Sequence, residues 1–305
     1  MLFRSLAANK DYWDGAPKLD QLVFKVVPDS ATRLIQLQTG QIQGMDGLDP
    51  NDLPLVQKDK QVKLVSAPGL NVAYLSFNCD KVTDKNLRRA IAAAINKKDL
   101  LQIVYRNQGT IAKNPLPPAL LGHNDAIPEN PKSKIQKQKL LRLEVMTNPR
   151  AYLPNPIRAA ELIKADCAKA GIPIEIVPNE FGAHLSRTSR GEHEMALLGW
   201  VGDNGDTDNF LYTLLDKDTA TLGSALNICF WKNEDYHKLV VAARRESAPA
   251  KRAELYRKAQ EIIADEVPLV PLAHAPAMCA TRANVAGLHY EITGDILFRY
   301  VSAKP

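Results

Sequence analysis

The sequence predicts an α/β protein of about two domains. Its 305 residues are enough for two domains of ordinary size, each with an ample core. Hydrophobic residues make up 45% of the chain and charged residues 24%, which is typical of a globular protein in water. Strand-like and helix-like segments alternate clearly over residues 141–177, and this alternation is typical of an α/β lobe.

The first third of the chain predicts four strands joined by short helices. Alternating or apolar runs predict strands at residues 20–27, 41–45, 62–65 and 71–78. Short helices are predicted to start at Ser30 and Asn51. After residue 78 the sequence changes to the alanine-rich helix of residues 87–95. The first candidate domain boundary lies at this change.

The remainder of the chain alternates strands with longer helices. Strands are predicted at residues 141–146, 172–177 and 195–198, and helices at 157–170, 183–190, 234–246 and 248–266. The apolar run Val267–His274 contains two prolines, which favour a strand at a sheet edge or a crossover. Residues 285–301 are predicted to form two short strands.

Charge and hydropathy exclude several classes of protein. The net charge of +5 is mild, and basic residues are dispersed except in the tract of residues 132–142. That tract is typical of a solvated face, so nucleic acid is not expected as a partner. No apolar run approaches the ~20 residues of a membrane span. The first residues do not resemble a signal peptide, and the chain looks as if it begins partway through a longer one.

The cysteines and histidines predict neither a metal site nor a disulfide framework. The four cysteines are scattered without CxxC spacing and favour buried free thiols: Cys79, Cys167, Cys229 and Cys279. The histidines lack HExxH or clustered spacing, which favours surface or packed side chains over ligands. We therefore expect no metal and no cofactor.

The stretch Met195–Phe210 carries the clearest candidate site. A short apolar strand ends in Gly199–Gly202, and Asp203 follows beside Trp200. A carboxylate next to an indole at a strand end suits a ligand's ammonium group, through an ion pair and a cation–π contact. The same residues are also typical of a turn, and Asp206 or Asp208 is favoured as a helix cap. The spacing of a calcium-binding EF-hand loop is absent.

A second candidate is Arg150, in a proline-rich loop after the predicted strand 141–146. The prolines restrict the loop before any ligand arrives, which lowers the entropic cost of binding. An arginine at a strand end can take a carboxylate with two hydrogen bonds. An ordinary surface arginine explains the same residues, and by themselves they favour that reading.

Several segments together resemble one protein family. They occur in the family's order and are Tyr12–Gly15 with Lys18–Asp20, Pro68–Asn78, Arg88–Ala90, Ile95–Lys97, Gly199–Trp200, Gly202–Asp206, Glu254–Tyr256 and Ala259–Gln260. The likeness runs along almost the whole chain and is most specific at Trp200–Asp206. On these residues the chain resembles the peptide/nickel class, family 5, of the solute-binding proteins of ABC transporters.

The resemblance implies a fold and a division of the chain. The implied fold is the α/β, two-lobe, class II type of periplasmic binding protein, with part of the first lobe missing. Residues 1–77 and 275–305 would form the remnant of the first lobe, and residues 78–274 the second. The hinge would lie near residues 74–80 and 268–275, and its closure would bury the ligand.

The resemblance also implies a function without catalysis. Such a protein captures short peptides, dipeptides above all, in the periplasm and delivers them to permease subunits in the membrane. It acts as a monomer. In the family, the aspartate after Gly-Trp-x-Gly pairs with the peptide's α-amino group, and this position is Asp203. An arginine after the preceding strand pairs with the α-carboxylate, and the matching residue is Arg150.

Further pocket positions follow from the same resemblance. Tyr152, Trp200 and Gly202 fall at neighbouring pocket positions, and Phe181 stands where a tryptophan is common. The chain departs from the family in lacking a lobe segment and a signal peptide ahead of its start. The family's disulfide after the GDNGD segment has no match, because Asp216 or Lys217 and Lys232 occupy the corresponding places. Thr207 replaces a usual proline.

Three alternatives stay open at this point. A relative on the same scaffold binds haem, glutathione or cationic antimicrobial peptides. An enzyme would use Asp203, Asp206 and Asp208 as a carboxylate site, for instance in metal-assisted hydrolysis, although no histidine or cysteine lies near them in sequence. The third alternative is a fragment that folds but binds nothing.

Overall fold

A computed structural model describes residues 3–128, 138–291 and 293–303 of the chain. The strands are β1 (Phe3–Ala7), β2 (Gln21–Lys25), β3 (Gly44–Asp46), β4 (Val62–Ala67), β5 (Asn71–Phe77), β6 (Thr110–Ile111), β7 (Leu141–Met146), β8 (Ile174–Asn179), β9 (Met195–Val201), β10 (Leu269–His274), β11 (Ala277–Arg282), β12 (Val285–Ala286) and β13 (Ser302–Ala303). The helices are α1 (Ser30–Gln38), α2 (Leu53–Lys58), α3 (Lys85–Ala94), α4 (Lys97–Val104), α5 (Pro156–Lys169), α6 (Phe181–Ser189), α7 (Asp208–Leu215), α8 (Glu234–Arg245) and α9 (Pro249–Glu266). Residues 132–137 of the lysine-rich tract lie outside the described residues.

Polar side chains explain where several helices begin. Asp29 accepts a hydrogen bond from the Thr32 amide at the start of α1, and Asp84 does the same for the Asn86 amide at α3. Asn155 caps α5, whose first residue is a proline. These contacts satisfy amide groups that have no partner inside the helix, so the helix starts are set locally by sequence.

The chain forms two compact units. The first comprises Met1–Gly69 and Pro276–Pro305, and the second comprises Leu70–Ala275. This division differs from the boundary expected at residue 77. The reason is that β5 pairs along its whole length with β9 and, in part, with β10, so it belongs to the sheet of the second unit.

The second unit is built on a six-stranded sheet in the order β6-β10-β5-β9-β7-β8. Strand β7 runs parallel to β8 and β9, whereas β5 runs antiparallel to β9 and β10. Residues 267–274 were expected at a sheet edge or a crossover, and the edge is excluded because β10 pairs on both sides. Its pairing with β6 begins only at Ala273, so Pro271, which has no amide hydrogen, needs no partner there.

The core of the second unit lies on both sides of its sheet's central strands. All seven residues of β5 are buried, as are the first five residues of β9. Helix α5 packs against β7 and β8 through a stripe of small and apolar residues that includes Ala160, Ile163 and Cys167.

Cys167, Cys229 and Cys279 are buried and Cys79 is half-buried, and all four thiols are free.

The first unit holds a smaller sheet in the order β3-β11-β4, with α1 and α2 contributing to its core. The two-stranded ribbon of β1 and β2 carries apolar side chains that remain in contact with solvent, and Phe3 is 65% exposed. Among the described residues, no helix combines the length and the apolar character that crossing a membrane requires.

Candidate ligand-binding site

The candidate site lies at one edge of the sheet in the second unit. Strands β8, β7 and β9 are parallel neighbours, with Met146 paired to Asn179 and Val145 paired to Leu197. The segments that follow parallel strands emerge at the same edge. Arg150 follows β7, Phe181 follows β8, and Asp203 follows β9. The sequence expectation that strand ends deliver these side chains is thus matched by the topology.

Two glycines shape the end of β9. A Cβ atom on Gly199 would lie 2.2 Å from the Tyr152 ring, and one on Gly202 would lie 2.9 Å from the Phe210 ring. The Gly202 amide donates a 2.7 Å hydrogen bond to the carbonyl oxygen of Leu70. Only glycine lets the backbone approach its neighbours this closely, and the approach sets where Trp200 and Asp203 leave the strand.

Asn209, in the first turn of α7, joins Trp200 to Asp203. Its Oδ1 accepts hydrogen bonds from the Trp200 indole Nε1, at 2.9 Å, and from the Asp203 amide, at 3.0 Å. Its Nδ2 donates to Asp203 Oδ2 at 3.2 Å. The sequence analysis missed this residue. The one available signal was a short polar side chain just inside a predicted helix start, a position that also suits ordinary capping.

The three aspartates of the loop have different partners. Both Asp206 oxygens accept hydrogen bonds from the Arg252 guanidinium, at 2.9 and 3.0 Å, and Asp208 Oδ1 lies 3.2 Å from Arg244 Nε. Asp206 Oδ1 also accepts the Asp208 amide hydrogen. The expected helix cap at Asp206 or Asp208 is wrong, because Thr207 occupies the N-cap of α7 and its side chain makes no capping hydrogen bond. Burial outweighs Arg244 and raises the pKa of Asp208. Within the described residues Asp203 has no ion-pair partner, and its side chain is exposed.

Arg150 is held against an aromatic ring. Its guanidinium carbon lies 3.3 Å from the centroid of the Phe181 ring, and its backbone forms a bridge with Leu153. The Phe181 amide in turn donates to the Asn148 side chain at 3.1 Å, which ties the two loops together. Arg150 Nε is buried and has no hydrogen-bond partner among the described residues. A guanidinium stacked in this way has a fixed orientation, and its planar shape suits a carboxylate.

Tyr152 lies in the core rather than beside Asp203. Its side chain is 7% exposed, and its ring fills the space over Gly199. Its carbonyl oxygen accepts a 2.7 Å hydrogen bond from the Tyr105 hydroxyl. Burial raises the pKa of Tyr152 to about 12. The structure therefore brings five of the six expected site residues to one sheet edge and places Tyr152 beneath them as support.

The described residues contain one group with the composition of a metal site, and it includes none of the three loop aspartates. It consists of Asp216, Asp218 and His237. Asp216 is fully buried, accepts the Asp218 amide hydrogen at 3.0 Å and lies 2.9 Å from His237 Nδ1. The Asp216 carboxylate thus joins the Asp218 backbone to the His237 ring.

The chain is similar to a family of known proteins. Residues 4–221 match the family described as bacterial extracellular solute-binding proteins, family 5 middle. The dipeptide-binding protein of Escherichia coli (strain K12) is 36% identical over 306 residues, which cover 96% of this chain and 57% of that protein. Heme-binding protein A of Haemophilus influenzae is 37% identical over 295 residues, which cover 92% of this chain and 53% of that protein.

A solved structure gives the same picture at the level of the fold. The ABC transporter-associated periplasmic binding protein DppA from Helicobacter pylori, in complex with peptide STSA, matches with a TM-score of 0.87 at 32% identity. The match covers 99% of this chain and 60% of that chain. The chain spans a little over half the length of the curated relatives it matches.

Proposed function

We propose that the chain, which belongs to the bacterial extracellular solute-binding proteins of family 5, binds a short peptide by its two charged ends. In this proposal Asp203 pairs with the α-ammonium group and Arg150 with the α-carboxylate. One observation carries it. Asp203 is the loop aspartate that no arginine engages within the described residues, and it emerges at the same sheet edge as Arg150, whose Nε has no partner there.

The neighbouring side chains suit a peptide terminus. Trp200 can stack against an ammonium group held by Asp203. The Phe181 ring holds the Arg150 guanidinium in one orientation by stacking against it. If the two charged ends of the peptide are bound, its side chains can lie in a hydrated pocket with few specific contacts. Recognition would then depend on the length of the peptide more than on its side chains. Tyr152 would contribute by supporting Gly199 from below.

The partners and the location are part of the proposal. Relatives named for dipeptide binding, and a solved relative holding the peptide STSA, support a peptide ligand. By the same relationship, the protein would hand its ligand to permease subunits of an ABC transporter and act as a monomer in the periplasm. A hinge near residues 74–80 and 268–275 remains a prediction.

Calorimetry with matched peptides tests the ligand. We would titrate the dipeptide Ala-Phe in three forms: free, acetylated at its N-terminus, and amidated at its C-terminus. Tight binding of the free form that acetylation abolishes would support the Asp203 role, and weakening by amidation would support the Arg150 role. Equal affinity for free and amidated peptide would refute the Arg150 role, and no binding by the folded chain would refute the proposal for this chain.

Substitution of Asp203 provides the second arm. Asp203→Asn leaves the ligand's ammonium without a counter-charge and should weaken binding by about 2–5 kcal/mol. Asp235→Asn is the matched control, because the Asp235 side chain is 82% exposed on α8. The control should bind like the wild type. Equal losses in both variants would mean that net charge, rather than a contact, governs affinity.

Haem is the second candidate, because a haem-binding relative matches at a similar identity. The charged pair favours a zwitterion instead, since neither a carboxylate already beside an indole nor a guanidinium is a usual ligand of haem iron. Adding haem to the chain should leave the Soret band of free haem unshifted. A shifted band that a histidine substitution removes would overturn the preference for peptides.

A further inference from the structure

We propose that Asn209 is a positioning residue that holds Asp203 and Trp200 as a preformed site for an ammonium group. This inference rests on the proposed function for its consequence in binding, and on the geometry of Asn209 for its structural part. Asn209 would not contact the peptide's charge itself. It would act through the two side chains that do.

The hydrogen-bonding capacity of the Asn209 amide is matched to this task. The carbonyl oxygen has two lone pairs, and they accept the Trp200 indole hydrogen and the Asp203 backbone hydrogen. The amide nitrogen donates to Asp203 Oδ2, which leaves Oδ1 available to a ligand. One side chain thus fixes the indole plane, the backbone and the carboxylate rotamer together.

Asn209 is itself held by rigid structure. It lies in the first turn of α7, where the next two residues, Phe210 and Leu211, are fully buried. Its own backbone amide donates to the Asp206 carbonyl oxygen at 3.2 Å. Asp203 is exposed and lies two residues before Gly205. Its position is therefore set by a packed helix as well as by the loop.

A preformed site binds more tightly because its side chains lose little freedom when the ligand arrives. Without Asn209 the Asp203 carboxylate would rotate freely, and the indole hydrogen would turn to solvent. Asn209→Ala should weaken binding of the free dipeptide about 10- to 100-fold, the range expected for hydrogen bonds to a charged group. Asn204→Ala is the matched control, because Asn204 lies in the same loop and, among the described residues, its side chain bonds only the Asp206 amide.

A double-mutant cycle separates positioning from general loosening of the loop. We would measure Ala-Phe binding to the wild type, Asn209→Ala, Asp203→Ala and the double variant. If Asn209 acts through Asp203, its substitution should have little effect once Asp203 is absent. An equal loss in both backgrounds, or wild-type affinity in Asn209→Ala, would overturn the proposal.

A ligand-free measurement keeps the structural part testable if no peptide binds. In ¹⁵N spectra, hydrogen exchange at the Trp200 indole and at the Asp203 amide should become faster in Asn209→Ala and stay unchanged in Asn204→Ala. Trp200→Phe identifies the indole signal. Unchanged exchange at both groups in Asn209→Ala would overturn the positioning role. Faster exchange in a chain that binds no peptide would refute the proposed function and leave the positioning role intact.

Discussion

At the scale of single residues, the site depends on glycines at positions where neighbouring atoms leave no room for a side chain. The Cβ position on Gly199 is blocked by the Tyr152 ring, at 2.2 Å, and by the Val72 carbonyl oxygen, at 2.6 Å. Both obstacles are held in place, because Tyr152 is buried and Val72 lies in the central strand β5. The burial of Tyr152 and the absence of a side chain at Gly199 are therefore two parts of one packing arrangement.

Gly199→Ala should destabilise the fold by about 3 kcal/mol, since the added methyl group must displace a buried ring or the backbone of a central strand. Gly205→Ala is the control, because nothing lies within 4 Å of its Cβ position. Urea unfolding of both variants measures the effect. Equal midpoints for the two variants would show that the Tyr152 ring can move aside at no cost.

Single residues also show where sequence reasoning stops. Asp203 and Arg150 could be placed after predicted strands, because strand ends are local in sequence, but the binding role expected for Arg150 came from the family resemblance. The partners that distinguish Asp203 from Asp206 could not be found, because Arg252 lies 46 positions further along the chain. Asn209 was missed for a related reason: its role depends on rotamers and distances that no spacing pattern encodes.

At the scale of elements, the parallel strands were the most predictable part of the fold. The strand expected at residues 141–146 and the helix expected at 157–170 are confirmed by β7 and α5. Their periodicity is strong because each buries one face in the core. Of the two positions expected for β10, a sheet edge or a crossover, the edge is excluded by its pairing on both sides. A proline indicates an edge strand only where a neighbouring strand would need its missing amide hydrogen. Strand β6 is too short to reach Pro271, so no hydrogen bond is lost there.

The ends of β5 and β10 are joined by a buried asparagine. Asn71 Nδ2 donates to the Ala275 carbonyl oxygen at 2.8 Å, and the Ala275 amide donates to Asn71 Oδ1 at 2.9 Å. These residues flank the two places where the chain passes between its compact units. The pair of hydrogen bonds therefore fastens both connections to one sheet.

Asn71→Ala should destabilise the second unit by about 2–4 kcal/mol, because it leaves two buried backbone groups of Ala275 without partners. The measurement is urea unfolding together with hydrogen exchange at the Ala275 amide, which should become faster. Asn204→Ala, at an exposed site, is the control. Slow exchange at Ala275 in the Asn71 variant would mean that another group replaces the asparagine.

At the scale of the whole molecule, the fold was reached through resemblance, not through local pattern. Strand β11 pairs with β3 and β4, more than 200 positions earlier in the chain, and no local signal predicts such a pairing. The motifs that carry the resemblance are spread over both compact units, so they could imply the fold class of the whole chain. The exact division could not be placed, because β5 reads equally well as the last strand of one unit or the first of the next.

Three buried histidines, His184, His193 and His274, make the stability of the molecule depend on pH, because burial lowers the pKa of each. His193 and His274 are 1% and 4% exposed, and burial lowers the pKa of each from 6.5 to about 4. His193 Nε2 donates to the Ile228 carbonyl oxygen, and His274 Nδ1 donates to that of Asn71. In both cases the other ring nitrogen is buried without a partner in the described structure. The folded state therefore keeps both rings neutral.

The free energy of unfolding should fall as the pH drops from 6.5 to about 4, because the unfolded chain binds protons there that the folded chain does not. His193 and His274 should each contribute about 3 kcal/mol to this loss. Glu144 adds to it only at lower pH. Burial raises its pKa, but the hydrogen bonds and the positive charge of Arg187 together outweigh burial and lower the pKa from 4.5.

Urea unfolding across this pH range measures the dependence, and His193→Gln should flatten it, since glutamine can donate to Ile228 without titrating. His289→Gln is the matched control, because the His289 side chain is 50% exposed. A curve that stays equally steep in His193→Gln and His289→Gln would place the acid sensitivity in the carboxylates. A flatter curve in His193→Gln alone would assign part of the loss to the turn that leads into β9, the strand that carries the candidate site.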